Sequence, residues 1–220
     1  MNRILSALKL DFMMLKNNMK QVLMLFVIII VIGWTLGKEY EVFTIIVMFL
    51  MASIAGMVFA ICERNNSDRL YGSLPLSRLE MIIARYVFAL VLGIVAALLS
   101  IIMMYFSAYR ANVAVDWAAC TLPLAGGIVY FAFYVAVCYP IYFRVPYSKA
   151  AMFTMLPMIL LYVGALLLSK GKRTTAWLVD TLKWFSSIES YIIPMAILIA
   201  VVLMFLSLLI SFNIRKNKEI

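Results

Sequence analysis

The chain has 220 residues, 66% of them hydrophobic and only 13% charged, with 19 lysines and arginines against 10 acidic residues and a net charge of +9. With a mean hydropathy of +1.06, a soluble core of this size is excluded and the chain reads as an integral membrane protein. The positive charge is spread along the flanks of apolar runs, which argues against nucleic acid as a partner and for contact with anionic lipid.

The first segment runs from Asn2 to Lys20. Ile4, Leu8, Phe12, Leu15 and Met19 recur every three or four positions, while Arg3, Lys9, Lys16, Asn17 and Lys20 mostly turn elsewhere. That is the pattern of an amphipathic helix lying along the inner membrane surface. Its role is open between a plain anchor and a transmitter of motion. No cleavable signal peptide is expected, because residues 1–20 lack an apolar core and a small-residue cleavage site.

A membrane helix needs roughly 20 apolar residues. Six such runs follow: Gln21 to Gly37, Val42 to Cys62, Met81 to Ser107, Ala118 to Phe143, Ala150 to Ser169 and Tyr191 to Phe212. Only Lys38, Glu39, Tyr40 and Glu41 separate the first two, so these should form a tight hairpin.

Between the second and third runs lies a polar island, Glu63 to Glu80, ERNNSDRLYGSLPLSRLE. Asn65, Asn66 and Ser67 are good helix starters, Asp68 suits a first turn and Gly72 an end, so Ser67 to Tyr71 reads as a short helix. Pro75 stops any continuation. Ser77 and Glu80 are spaced as a capping box that starts the third span.

Pro123, Gly126 and Gly127 in the fourth run and Pro157 in the fifth predict bends or breaks at membrane depth. The loop at 170–190 holds Trp177, Leu178, Val179, Leu182, Trp184 and Phe185 among charges, which predicts a helix or pair of half-helices dipping into the outer leaflet.

Orientation follows from cations in short loops, which stay on the cytoplasmic side. Thirteen of the 19 flank one face and six the other, so both termini and the island are expected inside. Trp34, Trp117, Trp177 and Trp184 fall near the expected outer boundary, where amphipathic rings prefer to sit.

The chemistry that is missing narrows the field. There is no histidine, which removes histidine-based triads and zinc-protease motifs. Cys62, Cys120 and Cys138 lack CxxC spacing and read as packing residues, with neither disulfide nor metal indicated. The spans are read as free of ionisable groups at membrane depth, with Arg85 and Arg144 near the inner boundary extending toward water. Ion-coupled transporters usually keep such groups near the midplane, so the driving energy is expected from elsewhere. No GxxxxGK[ST] phosphate loop is present; if ATP is used, another subunit must bind it.

Taken together, the inner-surface helix, the six spans with both ends inside, the island and the semi-apolar outer loop resemble the permease subunit of an ABC-2 type ATP-binding-cassette exporter. Glu63, Asn66, Ser73-Leu74-Pro75-Leu76-Ser77-Arg78 and Arg85-Tyr86 are similar to the "E-N … LP-[ILV]-SR … [KR]-Y" pattern of a bacterial branch that includes exporters of phenol-soluble modulins, small amphipathic peptides. Where that branch often has an acidic residue before the asparagine, this chain has Arg64-Asn65-Asn66.

The resemblance implies an all-α membrane protein with the type V exporter fold, one permease domain, and no catalytic or metal site of its own. It further implies a cytoplasmic ABC ATPase partner that binds ATP and Mg, a second permease subunit, and an amphipathic or antimicrobial peptide as cargo in a bacterial cell membrane. By the same resemblance the island holds a coupling helix with Asp68, Arg69, Leu70 and Tyr71 as docking candidates, flanked by Glu63, Arg64, Asn66, Leu74, Pro75, Ser77 and Arg78. Another hydrophobic cargo, such as a lipid or peptide antibiotic, is the nearest alternative. An ion-coupled secondary transporter is the more distant one.

Overall fold

The computed structural model describes residues 2–36, 40–65, 78–150 and 189–216. All regular structure among them is helical: α1 (Asn2–Asn17), α2 (Met19–Leu36), α3 (Tyr40–Arg64), α4 (Arg78–Arg110), α5 (Trp117–Arg144), α6 (Tyr147–Ala150) and α7 (Glu189–Lys216). Four described helices, α3, α4, α5 and α7, are long and apolar enough to cross a membrane, and the bent pair α1–α2 would make a fifth. The fifth expected span beyond Ala150, Pro157 and most of the 170–190 loop lie outside the described residues.

Asn18 makes the 74° bend between α1 and α2. Its amide side chain donates to the Met14 carbonyl at 3.0 Å, closing α1, while its own carbonyl accepts from the Gln21 N–H at 3.0 Å and opens α2. One polar residue thus satisfies backbone groups on both sides of the break, as helix ends require.

The apolar stripe expected on α1 is divided between two faces. Ala7, Met14 and Leu15 are buried against the bundle, with Leu8 half-buried beside them, whereas Phe12 and Met19 point outward. Asp11 sits on the buried face with 1% of its surface exposed, a placement that hydrophobic periodicity alone does not foresee.

α3 and α5 form the inner layer of the bundle. In both, 61% of the most apolar stretch is buried, against 33% in α4 and 22% in α7, which turn most of their surface outward. The main contacts join α5 to α7, α3 to α5, and α3 to α4, with α1 laid across α4 and α2 against α3.

Of the bends or breaks expected in the fourth span, a break is absent: α5 runs without interruption through Pro123, Gly126, Gly127 and Pro140. Gly127 serves close packing instead, because a Cβ there would meet Met48 Cγ at 2.8 Å. Missing side-chain volume lets α3 and α5 approach, the usual role of small residues between membrane helices. Proline is tolerated in such helices where neighbours and local adjustments satisfy the freed backbone groups.

The α4–α5 turn is sharply capped. Asn112 takes a left-handed φ of 52° and the Val113 N–H returns to the Ala108 carbonyl at 3.1 Å, a Schellman-type stop with asparagine in the glycine position. Asp116 then caps α5 by accepting from the Ala118 N–H at 3.0 Å. At this end of the bundle the Arg110 guanidinium lies 3.5 Å over the Trp34 ring and Trp117 meets Tyr105 edge-on. Two of the four tryptophans therefore share one end; Trp177 and Trp184 lie outside the described residues.

Candidate functional site

At the opposite end, α3 ends and α4 begins, and both flanks of the polar island are fastened into the bundle. On the α3 side, Glu63 in the last turn accepts from the Ser148 backbone N–H at 2.9 Å and from the Ser148 hydroxyl. Ser148 belongs to α6, which Pro146 starts directly after the extended cap residue Val145. A residue before proline is pushed to extended backbone, so the sequence itself turns the chain here. Glu63 therefore joins α3 to the α5–α6 turn.

On the α4 side, Arg85 lies two turns into the helix and is 5% exposed. The expectation that Arg85 reaches water is corrected. Its Nε lies 3.4 Å from Asp11 Oδ2, its Nη2 donates to Cys62 Sγ at 2.8 Å, and its guanidinium carbon sits 4.7 Å from the Phe59 ring centroid. The Cys62 thiol in turn donates to Met14 Sδ at 3.4 Å. Because α1 lies across α4, the cation meets a carboxylate before it meets solvent. A buried charge is tolerable only with such a partner.

The next residue, Tyr86, ties α4 to α7. Its hydroxyl lies 2.6 Å from Ser207 Oγ and 2.8 Å from Ser211 Oγ, and Ser207 donates to the Ala136 carbonyl on α5 at 2.9 Å. With the Ser207 proton committed to Ala136, Tyr86 donates to Ser207 and receives from Ser211. A relay of hydroxyls thus links three helices. Around it Phe59, Tyr139, Tyr142 and Phe143 pack ring against ring.

Between these anchors lies a half-open cavity of about 440 Å³, lined among others by Phe59, Cys62, Glu63, Arg85, Tyr142 and Tyr147. Burial pushes the Tyr147 phenol above its ordinary range, so it remains a neutral hydrogen-bonding group at physiological pH. The site can hold and orient chain segments. Among the described residues no group of three or more His, Cys, Asp or Glu side chains could hold a metal.

Of the docking and flanking residues read from sequence, Glu63 is anchored as above, Arg64 is exposed, and Arg78 begins α4. Asn66, Asp68, Arg69, Leu70, Tyr71, Leu74, Pro75 and Ser77 lie outside the described residues. Glu80 falls in the first turn of α4, where the capping-box spacing puts it. Sequence reasoning missed Asp11, Ser148, Ser207 and Ser211. Only Asp11 carried a visible signal, as an acid among the apolar positions of an amphipathic helix.

A family model described as ABC-2 family transporter protein matches residues 8–216. The chain belongs to the ABC-2 transporter family. Membership in it implies a membrane setting and a partner ATPase. The matched range takes in every anchor of this ABC-2 protein, from Asp11 to Ser211. No curated protein and no solved structure gives a significant match.

Proposed function

We propose that this ABC-2 protein is the permease subunit of an exporter, driven by a separate cytoplasmic ATPase that pushes on the island between α3 and α4. In this reading the chain crosses the bacterial plasma membrane six times with both termini inside and pairs with a second permease. It has no enzymatic activity of its own. ATP and Mg bind to the partner, and closure of two ATPase subunits alternates the access of a shared pathway.

The observation that carries the reading is that both described flanks of the island are fastened, at Glu63–Ser148 and Arg85–Asp11, in a chain whose family match spans residues 8–216. A push on such a segment is delivered to the helices instead of being absorbed by slack backbone. Asp68, Arg69, Leu70 and Tyr71 are the docking side chains. A short helix with a Leu-Tyr pair suits a partner groove, where aromatic anchors dominate binding.

Cargo is assigned as amphipathic or antimicrobial peptide on the motif resemblance from Glu63 to Tyr86. An apolar, methionine-rich bundle accommodates varied hydrophobic shapes. The test is reconstitution with the partner ATPase. Leu70→Ala with Tyr71→Ala is expected to leave membrane insertion intact and to uncouple ATP hydrolysis from peptide export. Unchanged transport and ATPase rate in that variant would remove the docking assignment, and peptides that neither stimulate hydrolysis nor are exported by the intact complex would remove the cargo.

A further inference from the structure

We propose that a groove between α4 and α7 holds one hydrocarbon chain of a membrane lipid as a bound ligand, distinct from the lipid that merely surrounds the bundle. The proposal needs only the membrane setting and stands apart from the reading of the island. The groove is a half-open cavity of about 360 Å³. Leu90, Ile94 and Leu98 form its α4 rim and Ile197 and Val201 its α7 rim, all of them exposed. Phe131 and Ala132 of α5 and Met48 of α3 form a buried floor. Exposed rims above a buried floor make a slot that opens sideways from the bundle.

Helical periodicity builds both walls. The α4 rim residues recur every four positions, with Gly93 and Ala97 beside them, and on α7 Ala200 lies between Ile197 and Met204. Missing side-chain volume at Gly93, Ala97 and Ala200 gives the slot its depth. Gly93 is the tightest point, because a Cβ there would stand 3.0 Å from Phe131 Cε1. The slot starts one turn from the hydroxyl bridge between Tyr86 and Ser207, which clamps α4 to α7. Leu90 and Met204 are the first lining residues beyond that clamp.

Depth in the membrane identifies the occupant. The lining lies around the middle of the spans Leu79–Arg110, Trp117–Arg144 and Tyr191–Ile214, where lipid tails are what meets an outward opening. From Leu90 to Leu98 the slot runs about 12 Å at the helical rise, close to the roughly 15 Å that half of the hydrocarbon layer provides. Every residue that lines it is apolar, so it offers water none of the polar partners that would hold it. A tail in the slot touches the floor and both walls, whereas a tail elsewhere on the bundle touches one surface. The gain is dispersion contact, since lipid tails are already as apolar as the side chains. The lining selects a tail and not a headgroup.

The test uses the purified full chain, delipidated in mild detergent, and a phospholipid probe with a photoactivatable diazirine midway along one acyl chain. Saturable, single-site labelling is expected on the peptides around Gly93 to Leu98 and Ile197 to Val201, competed by unlabelled phospholipid whatever its headgroup. Ala97→Phe fills the slot from one wall and Ala200→Leu from the other; each is expected to cut the labelling at least about fivefold. Val95→Phe, on the exposed face of α4 outside the slot, is expected to leave it unchanged. The labelling map and its competition in the parent decide the matter even if neither filled variant folds.

Labelling spread evenly over the outward faces of α2, α4 and α7, competed by only one headgroup, or unchanged in a folded filled variant overturns the proposal. Displacement of the probe by an amphipathic peptide also overturns it, because the slot would then take cargo. The native cysteines are all buried, so Ile94→Cys reads out the remaining occupant. A disulfide-linked dimer of that variant in the membrane, with no lipid label in the slot, would put a second copy of the chain there and overturn the proposal.

Discussion

At the scale of single residues, the end of the bundle that flanks the island is organised by polar side chains that hydrophobic periodicity passes over. Arg85 and Asp11 are 74 residues apart in sequence, and no local pattern pairs them; α1 had to be folded back over α4 before the pair existed. The signal that was legible is Asp11 itself, an acid among apolar neighbours at helical spacing. An ionisable residue in such a place deserves a partner by default. Removing one member takes from the other an oppositely charged partner in a buried place: Arg85→Met or Asp11→Leu alone is expected to cost roughly 3–5 kcal/mol, whereas the double substitution costs little or is stabilising. Detergent-solution melting of the three variants checks this, and equal losses in all three would show that packing, not charge, holds the site.

At the scale of elements, long apolar runs gave reliable helices because roughly 20 such residues have few ways to satisfy their backbone in lipid other than a helix. The runs beginning at Val42, Met81, Ala118 and Tyr191 each lie within one helix. What the same reasoning left open is whether small residues there serve a bend, a break or a close contact. Pro123, Gly126 and Gly127 carry the signature of a break, but a break and a close contact call for the same missing side chain. Only the neighbour distinguishes them, here Met48 against Gly127. The two glycines therefore separate by substitution. Gly127→Val is expected to push α3 from α5 and destabilise the bundle by about 1–3 kcal/mol, as overpacking does. Gly126→Ala, with nothing within 4 Å of the added carbon, is expected to be neutral or to stabilise by up to about 1 kcal/mol through helix propensity. Thermal unfolding of the two variants decides it, and similar losses at both sites would contradict the packing role of Gly127.

At the scale of the whole molecule, the bundle has two differently built ends. One carries Trp34, Trp117 and a capped turn, with cation–π contact between Arg110 and Trp34; the other carries the anchored flanks of the island. That Trp34 and Trp117 lie at the end away from the island agrees with the distribution read from sequence, where amphipathic rings mark an interface. The proposed docking residues, Asp68 to Tyr71, are legible only as residue types and lie outside the described residues, because contact with a partner leaves no trace in the periodicity of a chain's own helices. The drive from partner to bundle is the central claim, and it predicts that hydrolysis and export rise and fall together only while the island is intact.

The most direct measurement is peptide exported per ATP hydrolysed by the reconstituted complex in sealed vesicles, with and without Leu70→Ala and Tyr71→Ala. A ratio that collapses in the variant while the complex stays assembled in the membrane is the predicted result. An unchanged ratio, or export that proceeds without the ATPase and follows an ion gradient, would contradict the account.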